Sequence, residues 1–81
     1  MTTQDYAIAG YNGMTSERPP YDSSIIGMAF RCGEICREHN LYPHEIKASR
    51  GYSFVVNRTY KIRFLADTRN RKGAYSFERI G

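Results

Sequence analysis

The sequence predicts an α+β domain: an N-terminal two-helix hairpin packed on a small C-terminal antiparallel β-sheet of three or four strands. Apolar residues recur every three or four positions between residues 6 and 39, and at alternate positions from residue 46 onward; these are the periods of a half-buried helix and a half-buried strand. Prolines stand at the joints, Pro19 and Pro20 within the helical part and Pro43 at its end, where a missing N–H and a fixed φ stop a helix. Helices gathered ahead of strands argue for a helical layer on one face of an antiparallel sheet.

The first helix is expected over residues 4–12, capped by Thr3, with Asp5 in the first turn where the helix dipole favours a carboxylate. Tyr6, Ala7, Gly10, Tyr11 and Met14 share its buried face, and Gly13 ends it by taking the left-handed conformation. Ala9 and Gly10 are small enough for a second helix to come close. Residues 14–21 form a corner stiffened by the two prolines. Asp22 or Ser23 then caps a longer helix over about residues 23–39, with Ile25, Met28, Ala29, Cys32, Ile35, Cys36 and His39 along one face. Asn40 suits its C-cap, and Pro43 bars continuation.

From Glu45 the period becomes two. Ile46 and Ala48 alternate with Lys47 and Ser49, Arg50-Gly51 can turn, and Tyr52, Phe54 and Val56 alternate again before a second turn at Asn57-Arg58. Tyr60, Ile62 and Phe64 face one way and Lys61 and Arg63 the other; a charged turn from Asp67 to Gly73 leads to a last strand over residues 74–80. Even-numbered apolar positions run on through residues 50–58, which leaves the strand count at three or four.

The 81 residues are expected to form one domain, residues 1–43 as helical hairpin and 44–81 as basic β-meander, because so short a chain cannot bury two cores. Hydrophobic content of 41% with seven Tyr and four Phe suffices for one packed core, and a second copy, as a homodimer, would help one so small. Residues 1–5 show neither a signal nor a transit peptide, and no apolar run is long enough for a membrane span. Cys32 and Cys36 alone give no disulfide framework, so the expected compartment is the cytoplasm.

The net charge of +4 divides unevenly: residues 1–43 carry three Arg against five carboxylates, and residues 44–81 carry nine Lys and Arg against three. The basic half is therefore the candidate for an anionic partner. Lys47, Lys61 and Arg63 lie on the strand face opposite the aromatic one, and Arg69, Arg71 and Lys72 crowd one loop, a set able to track a phosphate backbone. Tyr52, Tyr60 and Tyr75 would stack on bases if exposed, but each reads onto the inward register of its strand.

Ala9-Gly10, Gly13, Pro20-Tyr21, Phe30 and Gly33 form a spacing that resembles the ribosome modulation factor family and its small plasmid- and phage-borne relatives. The resemblance covers residues 9–33 and implies a helical hairpin in which two glycines after small residues permit close helix contact, Pro20-Tyr21 sets and plugs the turn, and Phe30 packs on the first helix, with Gly10, Gly13 and Gly33 as structural positions. It further implies attachment to the small ribosomal subunit and its RNA. The chain departs from the family in Pro19 before Pro-Tyr, in Phe30 where Trp is usual, in an acidic corner, and in a β region with no counterpart. The expectation is a non-enzymatic RNA-binding or ribosome-associated accessory protein. A small phage- or plasmid-type inhibitor of a host protein complex is the alternative.

Catalytic patterns are lacking. Gly10 and Gly13 follow no strand and precede no Lys-Ser/Thr, so no phosphate loop is present, and Asp67, Glu45 and Glu78 are scattered. Cys36 and His39 lack a third group to orient them as a nucleophile pair. Cys32, Cys36, His39 and His44 have a spacing able to close a tetrahedral zinc site, but two cysteines packing as small hydrophobes explain it better. No metal and no cofactor are expected.

Overall fold

The computed structural model describes residues 1–20, 24–65 and 75–81. Thr2 rather than Thr3 caps the first helix, α1 (Thr3–Tyr11): its hydroxyl accepts the Asp5 N–H, and the Asp5 carboxylate accepts the Thr2 N–H in return. This reciprocal box satisfies two donors that the first turn leaves open. At the other end Gly13 has φ of +69°, its N–H bonds Gly10 C=O and the Met14 N–H bonds Ala9 C=O, which closes α1 with a Schellman turn. That turn throws Met14 out to solvent, so it does not extend the buried face.

The second helix, α2 (Ile25–Glu38), starts with Ser24, whose hydroxyl accepts the Gly27 N–H. Asp22 and Ser23, the expected caps, lie outside the described residues. Its end repeats the design of α1: Asn40 stands one residue beyond the cap His39 with φ of 56°, and Asn40 and Leu41 bond back to Arg37 and Cys36. Five members of the expected stripe, Met28, Ala29, Cys32, Ile35 and Cys36, are buried. Ile25 and His39, one at each end, are exposed.

Where α1 and α2 cross, the glycines interlock. A Cβ on Gly10 would run into the Phe30 carbonyl oxygen, and one on Gly33 into the Ala7 carbonyl oxygen; backbone meets backbone at both sites. Phe30 is fully buried beside this crossing, outside the main core cluster. Arg18 closes the corner over it, with its guanidinium 4.8 Å from the Phe30 ring centre and 2.7 Å from Glu34. Pro19, not Pro20, is the buried proline of the corner. Tyr21, the expected plug, lies outside the described residues.

The sheet has four strands in the order β1-β2-β3-β4, all antiparallel: β1 (Ile46–Ser49), β2 (Ser53–Val56), β3 (Tyr60–Phe64) and β4 (Tyr75–Arg79). Positive φ values at Gly51 and Tyr52 break the first strand from the second. Asn57 and Arg58 do the same for the next pair, with the Thr59 N–H bonding Val56 C=O as in a type I′ turn, and Thr59 stands as an extra residue before the Val56–Tyr60 pair. Tyr52 is thereby turned out of the alternation and is 68% exposed, contrary to its inward-reading position. Ile46, Phe54, Val56, Ile62 and Phe64 face the helices and join Ala7, Met28, Cys32 and Ile35 in one core. The fold is thus two layers, α on β, and among the described residues no helix or strand packs on the other sheet face.

Candidate nucleic-acid interface

The sheet face away from the helices is set by strand register. Lys47, Val55, Lys61 and Glu78 lie side by side across the four strands, and Ser49, Ser53, Arg63 and Ser76 form the next row. Lys47 and Arg63 are exposed, Val55 and Lys61 are half-buried, and Ser53 is buried, 1% exposed. Strand geometry puts Lys47 and Lys61 roughly 10 Å apart across the sheet, and Lys61 and Arg63 roughly 7 Å apart along β3. Among the described residues of these rows Glu78, opposite Lys61, is the sole carboxylate against three cations. Arg69, Arg71 and Lys72, the other expected contacts, lie outside the described residues.

The expected base-stacking tyrosines do not share this face. Tyr60 and Tyr75 are on the helix side, packed against the core. Tyr60 and His39 each stack on Phe77, at 5.2 and 4.0 Å between ring centres. Burial, and then the Glu38 carboxylate that the Tyr75 hydroxyl approaches at 3.4 Å, hold the Tyr75 phenol above its ordinary pKa. Only Tyr52 of the three is strongly exposed, in the β1–β2 turn next to exposed Arg50 and Gly51. Arg50 and Gly51 turn as their sequence suggests, but the turn extends to Tyr52, whose even-numbered place in the alternation hid its exposure.

Other cations are engaged elsewhere. Arg58 bonds Glu45 at 2.9 Å, which lowers the Glu45 pKa and raises that of Arg58. Arg37 donates to Tyr11 C=O and lies 5.3 Å from the Tyr11 ring centre.

The cysteine and histidine set is dispersed. Cys32 and Cys36 are fully buried, and burial pushes both thiols up, Cys36 to about 11. His39 stacks on Phe77 within 2° of parallel, and His44 packs edge-on to Tyr42. Among the described residues no three His, Cys, Asp or Glu side chains are placed to hold a metal ion. A shallow apolar groove of about 240 Å³ opens between the start of α2 and the β1–β2 turn, lined by residues that include Ile25, Met28, Ala48 and Tyr52.

Fold and face together define a two-layer α+β domain whose second sheet face, among the described residues, is basic and carries no ring. The chain matches no family model, no curated protein and no solved structure. Among the described residues no helix is long and apolar enough to cross a membrane.

Proposed function

We propose that the protein is a non-enzymatic RNA-binding or ribosome-associated accessory protein of the cytoplasm, which meets the phosphate backbone through the sheet face away from its helices. The observation that carries this reading is the convergence of Lys47, Lys61 and Arg63 on one sheet face, with Glu78 the sole carboxylate among the described residues of those rows. The close helix contact at Gly10 adds support, since the resemblance to the ribosome modulation factor family implies a hairpin of closely packed helices. A face of lysine, arginine, serine and valine offers charge without stacking platforms, so it suits helical RNA backbone better than splayed single-stranded bases.

The test is fluorescence anisotropy with an RNA duplex and a single strand across a salt series. Three phosphate contacts give a log–log salt slope of about −2.7 on a duplex, and each of Lys47→Ser, Lys61→Ser and Arg63→Ser removes about 0.9 of it. Arg69→Ser, Arg71→Ser and Lys72→Ser together measure the share of the charged turn. Binding that ignores salt, or that survives replacement of Lys47, Lys61 and Arg63 together as well as that of Arg69, Arg71 and Lys72, defeats the reading. The apolar groove at Ile25 and Tyr52 favours the second reading, a phage- or plasmid-type inhibitor docking on a host protein complex. In that case Ile25→Glu abolishes complex formation and leaves RNA affinity unchanged.

A further inference from the structure

The two edges of the sheet differ. β1 is short, carries Lys47, and has its first outward N–H, that of Ile46, taken by Gln4 Oε1 at 2.8 Å; these are protections against strand pairing. β4 also carries charged residues, Glu78 and Arg79, but among the described residues no side chain occupies its outward backbone groups as Gln4 does those of β1. Its phase follows from Ile80, whose N–H bonds Thr59 C=O at 2.7 Å, towards β3. Alternate residues of an antiparallel strand turn their backbone groups the same way, so Ser76 and Glu78 also bond towards β3. Tyr75, Phe77 and Arg79 then present their N–H and C=O groups outward.

We infer that this edge takes a second copy of the chain, β4 against β4, antiparallel about a two-fold axis at Phe77. Centring at Phe77 sets Tyr75 opposite Arg79 of the second copy, so all three outward-facing residues meet outward-facing residues. A centre at Ser76 or Glu78 matches only two of them within the strand. The charges agree with this register. Arg79 is exposed on the helix side of the sheet, and in the pair it comes beside the second copy's Tyr75, whose hydroxyl is 3.4 Å from Glu38 Oε2. Each Arg79 thereby comes beside a ring and a carboxylate, twice by symmetry, and shares that ring with Arg31, whose guanidinium lies 5.8 Å from its centre. On the face away from the helices Ser76 meets Glu78, so no like charges are opposed. The joined sheet ends at both sides in a β1 edge guarded by Gln4, which stops further addition. This pairing stands independently of RNA binding, though it would set two basic faces in one surface.

Sedimentation equilibrium from micromolar to millimolar protein tests it, with circular dichroism to confirm that the variants fold. The expected result is a reversible monomer–dimer equilibrium whose Kd rises about tenfold or more in Arg79→Glu and returns when Glu38→Arg is added to it. In a mixed isotope-labelled sample, an intermolecular nuclear Overhauser effect joins the Ser76 and Glu78 α-protons. A monomer at every concentration, a dimer indifferent to Arg79→Glu, or intermolecular contacts on another surface each overturns the inference.

Discussion

Gln4 Oε1 accepts the Ile46 N–H at 2.8 Å, across most of the helical half of the chain. The same amide donates from Nε2 to Pro43 C=O at 2.7 Å and to His44 C=O at 3.1 Å. A side chain of α1 thus lies on the edge of β1 much as a neighbouring strand would, satisfying backbone groups that the sheet leaves open. It ties the first helix to the first strand where Pro43 has ended the helical part.

Replacing Gln4 with Ala leaves the Ile46 N–H and the Pro43 carbonyl without protein partners. The site is partly buried, so the expected loss is about 1–3 kcal/mol, read as a lower urea midpoint at unchanged m-value. Gln4→Glu keeps the acceptor for Ile46 but sets a carboxylate against two carbonyl oxygens. It should be no better than Ala, whereas a neutral effect would show that water replaces the amide.

The glycine crossing makes the sharpest stability prediction. Besides the two carbonyl oxygens, a Cβ at Gly10 would stand 2.9 Å from the Phe30 carbonyl carbon, and one at Gly33 would stand 2.7 Å from the Tyr11 nitrogen. These neighbours are backbone, so the helices themselves must part. Gly10→Ala and Gly33→Ala should each cost about 3 kcal/mol or more, and Gly10→Leu should prevent folding. Gly13→Ala serves as the control: nothing stands within 4 Å and only the φ of +69° is at stake, which limits its cost to about 1–2 kcal/mol. Phe30→Ala, at a fully buried ring, should cost about 3–5 kcal/mol. Thermal or urea unfolding of the set ranks these effects.

The division into helices and strands was legible because period and punctuation agree: the stripe from Met28 to Cys36 and the alternation from Tyr60 to Phe64 both bury as their spacing demands. The cations of the face away from the helices were legible for the same reason, since Lys47, Lys61 and Arg63 fall on the odd register. Tyr52 was not, because positive φ in a turn breaks alternation without altering the spacing of letters. Three successive polar residues, Asp22, Ser23 and Ser24, gave no local reason to prefer the last as cap. Gln4 was invisible for a deeper cause: a side-chain bond to backbone some forty residues away leaves no periodic trace.

Acid should weaken the fold at two identified carboxylates. The Thr2 N–H and hydroxyl hold the Asp5 pKa below its ordinary value of 3.8, and Arg58 holds that of Glu45 below 4.5. Folded-state values that are depressed contribute stability in full above the ordinary carboxylate range, and that contribution is lost as pH falls through the lowered values. Asp5→Asn should therefore melt lower than the parent at neutral pH. The difference should shrink as the buffer is taken down to about pH 2–3, because protonated Asp5 no longer caps α1 as an anion. Melting curves across that range check it, and a constant difference would assign Asp5 no role in the acid response.

Alkali should act through the core thiols. Burial raises Cys36 from the ordinary 9.0 to about 11 and raises Cys32 well above the same value. A folded-state pKa raised above the unfolded one gives stability that is complete below the unfolded value and is lost as pH rises through the folded value, here from about 9 to about 11. The same burial keeps the thiolate, the reactive form, scarce in the native state. Ellman's reagent at neutral pH should therefore label Cys32 and Cys36 only as fast as the domain opens, with both thiols appearing in step and the rate rising with urea. Gly10→Ala should accelerate labelling in proportion to its loss of stability, because helix separation at that crossing is the opening that exposes both sulfurs. Zinc or a chelator should leave the rate unchanged, since His39 is occupied with Phe77 and Tyr75 and both sulfurs are within the core. Protection by zinc would instead mean that α2 and the Pro43 turn rearrange to bring Cys36, His39 and His44 together.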